Sequence, residues 1–150
     1  MHFESSLTVN APLENVYAAF TDFESMPKWS KQVTTIRVVR KGADAVYLEA
    51  ESVLGGRRRI VSREMRLFPP GRVESEGKTR FTRTKRTVTF EEVPSGTKVT
   101  ATLDVRVRGL WSLVLTAPGS ESAETSVADE LSSFGRYVEG LPQSETLDSA

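Results

Sequence analysis

From Gln32 to Arg108 the chain is a succession of short stretches that read as strands, and the breaks between them are long enough only for turns. The stretches are Gln32–Lys41, Ala45–Leu54, Arg57–Phe68, Arg72–Gly77, Phe81–Glu92 and Lys98–Arg108. The breaks are Gly42-Ala43-Asp44, Gly55-Gly56, Pro69-Pro70-Gly71, Gly77-Lys78-Thr79 and Pro94-Ser95-Gly96-Thr97, rich in residues suited to tight turns. A parallel partner needs a crossover of a dozen or more residues, so sequence neighbours must pair antiparallel, as a meander.

Alternation also assigns faces. In Lys98–Arg108, Val99, Ala101, Leu103, Val105 and Val107 point inward, while Lys98, Thr100, Thr102, Asp104, Arg106 and Arg108 point to water. Thr82, Thr84, Arg86, Val88 and Phe90 share one side of the preceding strand, with Arg83, Lys85 and Glu91 opposite. Val46, Leu48, Ala50, Ser52 and Leu54 group in the same way. Arg57–Phe68 is ambivalent, because Val61, Met65 and Leu67 oppose Ile60 and Phe68. Its inward face stays open.

The flanks carry helices. Phe3–Val9 alternates and predicts a first strand. Pro12 suits a first helical position, Glu14 its first turn, and Leu13, Val16, Tyr17 and Phe20 recur at helical spacing. Asp22 opens a second short helix through Phe23 and Met26, which Pro27 is expected to end, and Trp29 closes the segment. After Gly109, Leu110–Leu115 is an apolar piece, either a flap or the first turns of the terminal helix, broken by Pro118-Gly119. Ser120 or Ser122 can cap the last helix, whose stripe is Val127, Leu131, Phe134 and Val138. Gly140 and Pro142 stop it. Residues 1–140 read as one domain and 141–150 as a disordered polar tail.

Composition narrows the function classes. With 20 basic and 20 acidic residues the formal net charge is zero, which advertises no nucleic acid as partner. The absence of cysteine excludes disulfides and thiolate chemistry, and a single histidine, His2 at the terminus, leaves no metal-ligand set. Gly55-Gly56 lacks the lysine and helix of a phosphate loop. No cofactor is expected. Met1–Ser6 lacks a signal-peptide pattern, and Leu110–Ala117 is too short to span a bilayer, so a soluble, cytoplasmic protein is expected.

Particular residues carry a likeness to a known superfamily. Ala11-Pro12-x-x-x-Val16-Tyr17, followed by Thr21-Asp22-Phe23-Glu24-x-x-Pro27-x-Trp29, resembles the opening of the START-related helix-grip superfamily (SRPBCC), which includes polyketide cyclases and lipid-transfer domains. Ala128-Asp129-Glu130-Leu131-x-x-Phe134-x-x-Tyr137-Val138-Glu139 is similar to the terminal helix of its bacterial members. The resemblance implies an α+β helix-grip fold: about seven curved antiparallel strands around a long C-terminal helix, with two short helices after the first strand. It also implies a small hydrophobic ligand, such as a lipid, a polyketide-like aromatic or an isoprenoid, held in an internal cavity. Transient membrane contact stays open, as does the choice between monomer and dimer.

Small or polar residues at concave positions, Ala50, Ser52, Thr82, Thr84 and Ala101, argue for an unfilled trough. Its expected lining is Val46, Leu48, Ala50, Arg86, Val88, Phe90, Ala101, Leu103, Val105, Trp111, Leu131 and Phe134. Arg86 is the pointed case. An inward guanidinium needs an acidic ligand head group or a protein acid, and Glu49, Glu51 and Glu64 are the acids considered. Trp29 is expected to staple the short helices to the sheet. Arg57-Arg58-Arg59, Arg63, Arg66, Lys78, Arg80, Arg83 and Lys85 make the middle strands basic, a pattern read as a solvated convex face. Two alternatives stand beside a carrier. One is an aromatase or cyclase using Arg86, Tyr47, Glu49 and Glu64; the other is a partner-binding module using the basic strands.

Overall fold

The computed structural model describes residues 2–31, 33–54, 57–78, 82–107 and 121–141. The chain runs β1 (His2–Val9), α1 (Leu13–Thr21), a 3₁₀ helix (Phe23–Lys28), β2 (Val33–Lys41), β3 (Ala45–Leu54), β4 (Arg57–Phe68), β5 (Arg72–Lys78), β6 (Thr82–Val93), β7 (Gly96–Val107) and α2 (Glu121–Glu139). The strands form one antiparallel sheet in the order β1-β7-β6-β5-β4-β3-β2. The meander holds from β2 to β7, and β1 adds itself beside β7.

Two local expectations shift. Pro12 is the residue before α1, in extended conformation, and its carbonyl accepts the Val16 N–H at 3.0 Å. Pro27 does not end the second helix but lies inside it. That element is 3₁₀, and its turns are closed by Ser25 N–H to the Asp22 carbonyl and Trp29 N–H to the Met26 carbonyl, so no donor is needed at position 27. The α2 backbone is already helical at Glu121, which removes Ser122 as its cap, while Ser120 lies outside the described residues.

The β6–β7 hairpin shows what sets the sheet beside α1. Val93 pairs with Gly96 across Pro94-Ser95, and Gly96 adopts φ +142°. A Cβ there would stand 2.1 Å from the Val9 carbonyl oxygen, so only glycine fits. Next to it the buried Thr97 hydroxyl donates to the Ala11 carbonyl at 2.9 Å, tying β7 to the entrance of α1. β2, at the opposite margin, carries irregularities between Val33 and Thr35 and between Val38 and Arg40.

Burial resolves the face of β4. Met65 pairs with Val46, Arg63 with Leu48 and Val61 with Ala50, so the odd-numbered residues face the core while Ile60 is 71% exposed. The α2 stripe of Val127, Leu131, Phe134 and Val138 is buried. Gly135 brings the helix against β1, since a Cβ there would lie 2.7 Å from Leu7 Cδ2. Phe134 packs edge-on to Phe20 and Trp29, with ring centroids 5.3 and 5.0 Å away, and Phe90 meets Phe20 and Tyr17 in the same manner. Trp29 packs against Phe20 of α1 and Phe134 of α2. No helix among the described residues is long and apolar enough to cross a membrane.

Candidate functional site

Strand register lays out the concave wall in rows. One row runs Val46, Met65, Ser75, Arg86, Leu103 and the next runs Leu48, Arg63, Gly77, Thr84, Val105. α2 crosses this wall, and a cavity of about 30 Å³ remains between them. Phe20, Trp29, Arg86, Val88, Ala101, Val127, Glu130, Leu131 and Phe134 line it. The cavity is apolar except at one end, where Arg86 and Glu130 meet.

That end is charged. Arg86 Nη1 lies 3.7 Å from Glu130 Oε2, with side chains 24% and 12% exposed. Glu130 Oε1 accepts the hydroxyl of the buried Ser30 at 3.1 Å. Arg63 is the third charge. Burial, then repulsion by Arg86, lowers its pKa from the ordinary arginine value to about 10, and attraction to Glu130 opposes the shift only in part. Arg86 and Trp29 line the cavity, and the buried Arg86 Nε and Trp29 Nε1 have no hydrogen-bond partner among the described residues. The buried Tyr17 hydroxyl also lacks one among these residues, and burial pushes its pKa upward.

A profile described as polyketide cyclase/dehydrase and lipid transport matches residues 1–139. The chain belongs to that family. No curated protein matches the sequence. Solved structures share the polyketide cyclase/lipid-transport fold over nearly the full length. A Thermus thermophilus protein superposes with a TM-score of 0.81 at 20% identity, covering 92% of this chain and 97% of its own. The Zhui aromatase/cyclase of a Streptomyces species superposes at 0.79 and 14%, covering 93% of each chain. A START superfamily protein of Mycobacterium smegmatis gives 0.69 and 16%, covering 97% of this chain and 98% of its own. At such identities the likeness shows the helix-grip fold alone.

In this member of the polyketide cyclase/lipid-transport family, five of the expected lining residues border the cavity: Arg86, Val88, Ala101, Leu131 and Phe134. Val46, Leu48, Ala50 and Phe90 are buried in the surrounding core, and Leu103 and Val105 are half-buried on the same concave face, but none of these six borders it. Trp111 and the Leu110–Leu115 segment lie outside the described residues, as do the Ser52 and Thr82 side chains. Phe20, Trp29, Val127 and Glu130 join the lining without having been expected there.

The partner expected for Arg86 needs correction. Glu49, Glu51 and Glu64 alternate with inward residues and so lie on the convex side, where Arg37 holds Glu49, Thr34 donates to Glu51, and the Tyr47 hydroxyl reaches Glu64 at 3.5 Å. Tyr47, Glu49 and Glu64 are therefore separated from Arg86 by the sheet. The basic strands divide similarly. Arg63 turns inward, while Arg66, Arg72 and Arg83 pair with Glu74 and Glu76 on the convex face, at 3.3 to 3.5 Å. The side chains of Arg57, Arg58, Arg59, Lys78 and Arg80 are outside the described set. His2 is exposed at the start of β1, with Nδ1 2.7 Å from Asp104 Oδ1. Among the described residues no cluster of histidines and acids can hold a metal.

Proposed function

We propose that the chain binds a small hydrophobic molecule between α2 and the concave face of its sheet. The observation carrying this reading is the cavity bounded by Phe20, Trp29, Val88, Ala101, Leu131 and Phe134 where the helix crosses the wall. Its apolar lining stabilises a ligand by about 25 cal/mol for each Å² taken out of water. The present space, about 30 Å³, is on the scale of a single water molecule. Sites for drug-sized ligands measure roughly 300–1,000 Å³. Occupancy by a lipid or polycyclic aromatic therefore goes with displacement of the Phe20–Trp29–Phe134 cluster and α2 from the wall. Native mass spectrometry of gently purified protein tests the reading. A bound mass that organic extraction removes supports it; repeated recovery of the bare chain, with no uptake of an added apolar probe, defeats it.

A second reading, a polyketide cyclase-type activity, draws on the family and on Arg86 beside Glu130. Cyclisation by carbonyl addition needs one group to accept a proton from carbon and another to polarise the carbonyl, roles open to a carboxylate and a guanidinium. Linear poly-β-ketone supplied by a synthase in vitro should then give a product distribution that shifts with the protein and reverts with Glu130→Gln. A distribution identical with and without the protein excludes this activity.

A further inference from the structure

We infer that the ligand of this trough carries one anionic oxygen group, of the carboxylate kind, received between Arg63 and Arg86, and that Glu130 occupies the role of that anion in the structure described. The inference deepens the binding reading and rests on it.

Charge is the first argument. Two guanidinium groups and one carboxylate interact here inside the concave face, and the repulsion that Arg63 feels from Arg86 is not fully compensated by Glu130. Among the described residues Arg63 has no carboxylate within ion-pair distance. Guanidinium groups stay protonated at neutral pH, so two cations facing one carboxylate leave the site with an excess positive charge. An uncompensated interior charge is unfavourable unless an anion joins it.

Geometry is the second. Arg63 pairs with Gly77 of β5, and Arg86 pairs with Ser75 of the same strand. The two arginines thus stand two strands apart, about 10 Å across the sheet at the usual strand spacing, within convergent reach of two extended side chains. Only Gly77 and the small Ser75 lie between them. A Cβ at position 77 would come within 3.1 Å of Thr84 Oγ1 and 3.9 Å of Arg63 Cγ, so glycine keeps that floor open.

The donors are the third. Arg86 and Trp29 line the cavity, and Arg86 Nε and Trp29 Nε1 have no acceptor among the described residues. The ion pair to Glu130, at 3.7 Å, is longer than a hydrogen bond, and the other Glu130 oxygen is engaged by Ser30. A ligand anion can therefore take over Arg86 while Glu130 retains a partner.

Two dyes that differ by one group provide the test: 1-anilinonaphthalene-8-sulfonate and its uncharged parent, N-phenyl-1-naphthylamine. Fluorescence titration of the whole chain should give the anion about tenfold tighter binding, the scale of one charge-assisted hydrogen bond. Arg63→Gln and Arg86→Gln should each remove most of that preference. Glu130→Gln should enlarge it, since the competing carboxylate is gone while an oxygen remains for Ser30. Using the ratio of the two affinities within each variant cancels general changes in stability. Arg63→Gln also breaks no ion pair among the described residues, which keeps the test available if Arg86→Gln fails to fold. Equal affinities for the two dyes, or a preference untouched by both arginine substitutions, overturn the anion assignment and leave apolar binding standing. If neither dye binds the folded protein, both the anion assignment and apolar binding are overturned.

Discussion

Arg86 on β6 and Glu130 on α2 face each other across the trough at 3.7 Å, and this is the ion pair that links the terminal helix to the concave wall among the described residues. Breaking one side of such a pair leaves the other charge stranded. Glu130→Ala should therefore destabilise the fold by about 2–4 kcal/mol, somewhat below a fully buried pair because Arg86 keeps some solvent. The double variant Arg86→Met/Glu130→Leu should recover most of that loss. Urea denaturation with unchanged m-values reads both. Additive losses in the double variant would show that the two residues do not act on each other.

Arg63 should be a stability liability. Its folded pKa, about 10, is below the ordinary arginine value, so between those values the unfolded chain holds a proton that the folded chain has released. Unfolding free energy then rises with pH through that window, and below it the full penalty applies. Arg63→Met should stabilise the protein at neutral pH by about 1–3 kcal/mol. The gap between variant and parent should narrow as pH climbs from about 10 towards the unfolded value. A gap that stays constant would show that charge is not the reason.

Leu131→Ala enlarges the cavity from the helix side. The loss of packing should cost about 2–5 kcal/mol. In return, N-phenyl-1-naphthylamine should bind more tightly, because an apolar void retained in a folded protein takes up apolar molecules. Lowered stability without any gain in dye affinity would mean that the wall closes over the missing side chain.

Gly96→Ala places a methyl group against the Val9 carbonyl oxygen, 2.1 Å away, at a φ that side chains rarely adopt. A loss of at least about 2 kcal/mol is expected, from strain and displacement of β1 together. Thermal unfolding checks it. An unchanged melting temperature would mean that the hairpin sits elsewhere.

Much of this architecture is legible in the sequence because two periodicities are clear. Val99, Ala101, Leu103 and Val105 declare a strand face, and Val127, Leu131, Phe134 and Val138 declare a helix stripe. β4 is opaque because apolar residues occupy both of its sides; only its pairing with β3 turns Val61, Arg63 and Met65 inward. Arg63 escapes recognition as a site residue for that reason. Glu130 has a readable signal that its charge obscures: it stands three residues after Val127 and four before Phe134, within the apolar stripe. Pairing Glu49 or Glu51 with Arg86 overlooks a strict alternation with Leu48 and Ala50 that already sends both acids to the opposite surface. The second helix keeps its place but not its type, because 3₁₀ turns tolerate Pro27 where an α-helix does not.

The two register shifts in β2 bear on how the protein behaves in crowded solution. A regular marginal strand offers a row of unmet amide and carbonyl groups on which a second molecule can template. Here that row is broken twice, and Arg37, Arg40 and Lys41 punctuate it with like charge. Concentrated samples should accordingly resist strand-to-strand association along this border, whatever becomes of the ligand inside.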